Sequence, residues 1–215
     1  MIRSFFYGEL EPVAYLIYTL AVFLQYRRYK LYRYKVLSFF YAGCAVLLYI
    51  GIAFFDNNNW TYNLLFFSNI IVLSWFYMLF FDTRFKRWVG FSGAIFNILF
   101  FVYINVFRTR YNEYNYFLYG ISFITIVLYS LLYLHQLLTS LKEESLLRTF
   151  DFWLVCGYLL YFLGSFVIVC NYSNSTGYFT RGDLWIMSNI ILFICSAITL
   201  LISLQIFKKN NLHHV

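Results

Sequence analysis

The stretch "LLFFSNIIVLSWFYMLFF", residues 64–81, runs for eighteen positions without a charged side chain. A strand of a membrane barrel would alternate apolar and polar residues over about ten positions, and this stretch does not alternate. A helix needs about 20 residues to cross roughly 30 Å of hydrocarbon. It also pairs its backbone groups within the segment, as lipid requires. The pattern therefore predicts a transmembrane helix over residues 62–81.

The rest of the chain repeats this pattern. Of the 215 residues, 62% are hydrophobic and 12% are charged, whereas a soluble domain carries about 25% charged residues. A water-soluble fold of this size could not bury so much apolar surface. We therefore expect an all-α membrane protein, a single domain over residues 1–215 built as a bundle of seven transmembrane helices. The predicted spans are 10–26, 36–55, 62–81, 88–107, 117–138, 151–170 and 184–207.

The distribution of Lys and Arg predicts the orientation of this bundle. Twelve of the sixteen basic residues fall in segments 27–35, 82–87, 139–150 and 208–215, which share one side if there are seven spans. Loops rich in Lys and Arg stay in the cytoplasm. The N-terminus is therefore expected outside and the C-terminus in the cytoplasm.

The stretch "LQYRRYKLYRYKV", residues 24–36, places five cationic side chains and no acidic one between two apolar runs. Binding to nucleic acid would need a soluble platform that the chain lacks, so no nucleic-acid partner is expected. Residues 27–35 are interpreted as the first cytoplasmic turn, with contact to anionic lipid headgroups as a by-product. The predicted cytoplasmic interface consists of Arg27, Arg28, Lys30, Arg33, Lys35, His135 and Gln136.

Polar residues inside the spans are the first candidates for a ligand site in a membrane protein. Asn69, Asn97 and Asn189 all fall between mid-membrane and the predicted outer face. One interpretation is that they line an outer-half pocket and bind a ligand. The other is that they form hydrogen bonds between helices, worth about 0.6 kcal/mol each on average. Acidic residues lie at span ends, where Asp151 is interpreted as a helix cap.

The sequence carries no motif of a known catalytic or metal centre. H-E-x-x-H, G-x-S-x-G and a phosphate-binding loop are all missing, and these motifs supply metal ligands, a nucleophile or backbone donors. The four cysteines lie in apolar runs without C-x-x-C spacing, which is typical of small core residues. We expect no enzymatic activity, no catalytic residues, no metal site and no cofactor. Gly90 with Ala94, and Gly157 with Gly164, allow close helix approach within the bundle or in a dimer.

Two stretches resemble a family of uncharacterised bacterial inner-membrane proteins. They are "LLYLHQLLTSLKEESLLRTFDFWLVCGYLLYFLGSFVI" at 131–168 and "LWIMSNIILFICSAITLLISLQIF" at 184–207. The shared pattern is a fifth helix, a short linker, a sixth helix opened by "FW", and a last helix opened by "LW". The resemblance implies a small seven-helix protein of the bacterial inner membrane, of a kind often encoded beside sensor histidine kinases.

The expected function is that of a membrane-embedded sensory or accessory protein without an output domain of its own. It would bind a small ligand or lipid in the outer-half pocket and signal to a partner protein. The alternatives are an oligomeric channel or facilitator for a neutral solute, and a defence-type membrane effector. The expected partners are the lipid bilayer, a signalling protein and further copies of the chain.

Overall fold

The computed structural model describes residues 10–54, 59–108, 116–140, 149–172 and 181–211. These ranges contain helices and the short connections between them, and no strand. A π-helical segment, Ile104–Arg108, continues the fourth helix. The helices are α1 Leu10–Tyr29, α2 Tyr32–Phe54, α3 Asn59–Phe80, α4 Arg84–Tyr103, α5 Tyr116–Ser140, α6 Phe150–Tyr172 and α7 Arg181–Asn211.

Six of the described helices, α2 to α7, are long and apolar enough to cross a membrane. The prediction of an all-α membrane-type fold is confirmed at this level. The seventh described helix, α1, is not among these six, because it includes Glu11, Gln25 and two arginines and is less apolar. The count of seven spans and the orientation of the termini stay predictions.

The helices extend further than the predicted spans, most clearly in the segment predicted as the turn 27–35. Here α1 continues to Tyr29 and α2 begins at Tyr32, because Arg and Lys favour helix and their long stems carry the charge out to water. Lys30 ends α1 with a φ of 52°, and its N–H donates to the Tyr26 carbonyl at 2.7 Å. A left-handed residue with such a bond is a common way to terminate a helix.

Six helices form a closed ring. Around it, α1 packs against α2, α2 against α3, α3 against α5, α5 against α6, α6 against α7, and α7 against α1. The remaining helix, α4, lies outside the ring against α3 and α5. Only 17% of its apolar window is buried, against 33–56% for the five other candidate spans. We call the end of the ring at the Lys30–Leu31 turn the basic end, and the end where α1 begins the far end.

The surface of α1 is apolar where it faces outward. Leu16, Leu20 and Phe23 are between 43% and 48% exposed, while Tyr18 and Gln25 are buried inside the ring. The 20 residues of α1 make a helix about 30 Å long at about 1.5 Å per residue, which matches the hydrocarbon thickness. Both features favour α1 as a seventh span.

Glycines on α4 and α6 let these helices approach side chains of other helices closely. A Cβ at Gly164 would lie 3.1 Å from Ile191 Cδ1, and one at Gly90 would lie 2.9 Å from Met78 Cγ. Gly157 faces the Tyr18 hydroxyl in the same way, at 3.3 Å. All three glycines therefore serve packing within one chain.

Candidate functional site

Buried tyrosines line the interior of the ring. Two pairs stand three residues apart on their helices, Tyr15 with Tyr18 on α1 and Tyr158 with Tyr161 on α6, and this spacing puts each pair on one helix face. Three other helices of the ring, α2, α3 and α5, contribute further buried phenols. We call the set the tyrosine column; its members are Tyr15, Tyr18, Tyr34, Tyr41, Tyr77, Tyr133, Tyr158 and Tyr161, all buried.

Six of the eight rings of the tyrosine column contact one another in series, namely those of Tyr15, Tyr41, Tyr18, Tyr158, Tyr77 and Tyr133. The centroids of Tyr18 and Tyr41 are 5.2 Å apart, and those of Tyr18 and Tyr158 are 6.2 Å apart. Tyr77 continues the series, 6.5 Å from Tyr158 and 6.4 Å from Tyr133. These are the distances at which aromatic rings attract one another, so the column is a packed stack of rings.

Hydrogen bonds link the phenol groups across the ring. The Tyr41 and Tyr158 hydroxyls bond to each other. The Tyr77 hydroxyl lies 2.7 Å from Ser130 Oγ, and Ser130 itself donates to the Ile126 carbonyl, so Tyr77 is the donor to Ser130. The Tyr18 hydroxyl is buried without a hydrogen-bond partner among the described residues.

A carboxyl group stands at the far end of the column. Glu11, one turn before Tyr15, is 3% exposed. Tyr15 follows four residues later, on the same face of α1. Glu11 Oε2 is buried without a hydrogen-bond partner in the part of the chain that the structure describes. An acid in this setting is costly unless something compensates it, which marks it as a functional candidate.

A second carboxyl group stands at the basic end. Asp151 accepts a hydrogen bond of 2.5 Å from the Tyr34 hydroxyl and one of 3.1 Å from Arg33 Nη2. The Arg33 guanidinium also lies 4.2 Å from the centre of the Phe80 ring. The Phe80 ring in turn lies 4.8 Å from the ring of Tyr133, measured between centroids. The column thus runs between two carboxyl groups, Glu11 at one end and Asp151 at the other.

A small cavity lies within the column, and Asn69 is part of its wall. Its volume is about 10 Å³, which is roughly the space that one water molecule needs. Its polar lining comes from tyrosine hydroxyls and Asn69. The lining residues are Tyr15, Tyr18, Tyr41, Asn69, Leu73, Tyr158, Tyr161, Phe162 and Leu192.

The three asparagines predicted as ligand-binding residues do not share one cavity. Asn69 lines the small cavity, while its amide donates to the Leu65 carbonyl at 3.0 Å. Asn97 lies at the contact between α4 and α5, where it donates to Thr125 Oγ1 at 3.0 Å. It is separated from the other two because α4 lies outside the ring. Asn189 is buried on α7, and its Nδ2 has no partner among the described residues.

The predicted cytoplasmic interface divides into two groups. Arg27, Lys30, Lys35 and His135 are exposed. The other three make contacts between helices. Arg28 Nη1 donates to the Ile206 carbonyl, Arg33 binds Asp151, and Gln136 Nε2 donates to the Phe80 carbonyl at 2.8 Å. These three side chains hold the basic end of the ring together.

Sequence reasoning identified neither the tyrosine column nor the role of the two carboxyl groups. It interpreted Asp151 as a helix cap. The available signal was the content of 22 tyrosines and their spacing of three on α1 and α6. That spacing shows a shared face, but the partner across the ring is known only from the fold.

Comparison of the chain with family models, with curated proteins and with solved structures finds no match. The fold itself defines the class: an all-helical protein whose described part includes six helices long and apolar enough to cross a membrane. The described interior between Glu11 and Asp151 contains buried tyrosine hydroxyls.

Proposed function

We propose that this protein is a membrane-embedded sensory or accessory protein with seven spans. In this proposal, a change at Glu11 reaches the basic end through the tyrosine column. One observation carries it: a series of contacting aromatic rings leads from Tyr15, one turn after Glu11, to Phe80, which lies against the Arg33 guanidinium of the Arg33–Asp151 pair. A core needed only for packing would be served by Leu, Ile and Phe, which bring no polar atom into the interior.

The hydroxyl groups of the tyrosine column can pass a change at Glu11 along the column by rearranging their hydrogen bonds. A phenol can donate or accept a hydrogen bond, so a pair such as Tyr41 and Tyr158 has two arrangements of nearly equal geometry. Charges act strongly inside a protein because the dielectric constant is low. A change of charge or partner at Glu11 therefore favours one arrangement of the hydroxyls over the other. An element with two such states is what a coupling mechanism requires.

The signal leaves at the basic end. Asp151 is bonded to Tyr34 and Arg33, and these two residues begin α2 directly after the Lys30–Leu31 turn. The exposed cations Arg27, Lys30 and Lys35 surround this turn. They offer a basic surface to an acidic face of a signalling protein, on the cytoplasmic side in the predicted orientation. The resemblance to bacterial inner-membrane proteins encoded beside sensor kinases favours the same role.

A channel or facilitator is less well supported by the described residues. The interior of the ring is filled with side chains, and the cavity within the column measures about 10 Å³. A pore for a solute would have to form between copies of the chain. The same holds for a membrane effector that acts by permeabilisation.

The test is site-specific photocrosslinking in native membranes. A photoreactive residue at Lys35, which is exposed at the basic end, is compared with one at Phe39, which is 70% exposed one turn further along α2. We expect an adduct with a signalling protein from position 35 and only lipid adducts from position 39. The adducts are identified by mass spectrometry.

The dependence on Glu11 tests the coupling itself. If the column transmits, Glu11→Gln alters the yield of the adduct at position 35, and Tyr41→Phe removes that effect. Adducts with copies of the chain alone would contradict the proposal. A partner adduct whose yield is the same in the native chain and in Glu11→Gln would contradict the coupling between Glu11 and the basic end.

A further inference from the structure

A second concave site lies away from the tyrosine column, between α3 and the start of α4. It has a volume of about 370 Å³ and is lined by Met78, Arg84, Arg87, Trp88 and Phe91. We call it the α3–α4 groove. Its size falls within the range of sites that bind small molecules, and it opens at the basic end, where α4 begins.

Two guanidinium groups belong to this groove. Arg84 and Arg87 are both exposed, and neither pairs with a carboxylate among the described residues. Arg87 Nε donates to the Phe81 carbonyl at 2.8 Å, which fixes the guanidinium beside the groove and leaves its terminal nitrogens available for a ligand.

The neighbouring acid does not neutralise these arginines. Asp82 is paired with Lys86, whose ammonium lies 3.0 Å from Asp82 Oδ1. The hydrogen bond from Lys86 lowers the pKa of Asp82, so the carboxylate stays charged and engaged with the lysine. The groove therefore carries two positive charges that no described acid balances.

The other wall of the groove is apolar and open to the bilayer. Trp88 is 66% exposed and Phe91 is 47% exposed. Ile95 and Leu99 continue the same exposed stripe along α4, since residues three or four apart share a helix face. A tryptophan at the start of a span is typical of headgroup depth. The site thus combines two arginines at the start of α4 with an exposed apolar stripe that continues along the helix.

We propose that the α3–α4 groove is a binding site for an anionic phospholipid. The guanidinium groups of Arg84 and Arg87 bind the phosphate, for which their planar donors are suited. Trp88 packs beside the glycerol region, and one acyl chain lies along Phe91, Ile95 and Leu99. The site is independent of the tyrosine column and of the proposed function.

The positive charge of Arg84 and Arg87 favours an anionic lipid over the other possible ligands of the groove. A second copy of the chain would cover the apolar stripe of α4 but would have to place acidic groups against two arginines. A zwitterionic lipid brings a cation of its own toward them. An anionic lipid such as phosphatidylglycerol satisfies both the arginines and the apolar track.

Native mass spectrometry of the full chain, released from detergent micelles, measures this preference. Phosphatidylglycerol is titrated against phosphatidylcholine. The variant R84Q/R87Q removes two cations from the groove, and the matched control R27Q/K35Q removes two exposed cations elsewhere at the basic end. We expect the native chain to retain phosphatidylglycerol selectively and R84Q/R87Q to bind it about tenfold more weakly. The control should lose far less affinity, since it removes only the general headgroup contact of the turn 27–35. An equal loss in both variants would overturn the site.

Trp88 provides a second readout that does not depend on the arginine variants folding. The native chain is reconstituted in phosphatidylcholine vesicles that contain either brominated phosphatidylglycerol or brominated phosphatidylcholine. Stronger quenching of tryptophan fluorescence by the brominated phosphatidylglycerol is expected, and W88F should abolish the excess. Equal quenching by the two lipids would refute the proposal. So would a dimer in which a second copy protects Trp88 from both.

Discussion

The hydroxyl of Tyr41 on α2 is hydrogen-bonded to the hydroxyl of Tyr158 on α6. The two helices are not neighbours in the ring, where α3 and α5 separate them on one side and α1 and α7 on the other. The two phenols therefore form a direct hydrogen-bonded contact between α2 and α6 across the interior of the ring. The aromatic rings around them are held by their own contacts, since Tyr18 stacks on Tyr41 at 5.2 Å.

The first prediction concerns this hydrogen bond between Tyr41 and Tyr158. Tyr158→Phe leaves the Tyr41 hydroxyl buried without its partner, which costs about 1–3 kcal/mol. Tyr41→Phe should cost a similar amount. The double variant Y41F/Y158F removes both hydroxyls and should recover most of the loss, because replacing both partners by apolar groups is nearly neutral. The free energy of unfolding is measured by titration with SDS in mixed micelles.

The double-mutant cycle supplies the control for this prediction. A coupling energy near zero, with the double variant as unstable as the sum of the two single variants, would show that the hydroxyls do not bond. Circular dichroism of each variant before titration verifies that the helices are intact.

The second prediction concerns the packing of α4 against α5. The Tyr129 hydroxyl donates to the Gly90 carbonyl at 2.7 Å, and a Cβ on Gly93 would overlap that hydroxyl. Gly93→Ala should therefore lower the free energy of unfolding by about 1–3 kcal/mol, the usual cost of overpacking. Gly43 is the matched control, because a Cβ there meets nothing within 4 Å. Gly43→Ala should raise the free energy of unfolding by about 0.5–1 kcal/mol; equal effects at both positions would contradict this packing.

The helices could be predicted from the sequence because lipid imposes a simple rule on composition. A segment that crosses hydrocarbon without alternating apolar and polar residues must be a long, apolar helix, and the stretch 64–81 satisfies this rule. The ends of the helices were less predictable. Residues 27–29 and 32–35 were assigned to a turn because they are charged, yet long basic side chains can leave a helix for water without ending it.

The interior of the ring could not be predicted in the same way. The hydropathy of a span does not say which face turns inward, nor which helices become neighbours. Asn97 and Asn69 lie at similar predicted depths, but one sits on the helix outside the ring and the other lines the cavity. Glu11 and Asp151 each stand near the end of a helix, where acids are usually solvated. Their burial results from the packing of α1 and α6 into the ring.

The third prediction concerns the ion pair at the basic end. Asp151→Asn keeps the shape of the side chain but removes the charge that binds Arg33 and Tyr34. The side chains of Arg33 and Asp151 are only 27% and 15% exposed, so the free energy of unfolding should fall by about 1–3 kcal/mol, as for hydrogen bonds to a charged group. The pair of Lys86 and Asp82 is the control because the Asp82 side chain is 51% exposed, and Asp82→Asn should change stability by less than about 1 kcal/mol. A D151N variant as stable as D82N would show that the cluster is not held by charge.

The fourth prediction separates polar groups that stabilise the ring from one that does not. Glu11 and Gln25 are both buried on α1. Gln25 Nε2 bonds to Ser203 Oγ at 2.7 Å, although Gln25 Oε1, like Glu11 Oε2, has no partner among the described residues. Methionine has a similar volume and no strong polar group. Gln25→Met should therefore lower the free energy of unfolding by about 1 kcal/mol, and Glu11→Met should raise it by about 1–3 kcal/mol.

The opposite signs follow from the role proposed for Glu11. A residue kept for function is often one that the fold would be more stable without. Glu11→Met should accordingly give a more stable protein in SDS titration and, in the photocrosslinking experiment at position 35, the altered yield expected of a chain with the column uncoupled. If Glu11→Met destabilised the chain as much as Gln25→Met, the Glu11 carboxyl would be a structural group with a partner in the fold. The coupling proposal would then lose its starting point at the far end.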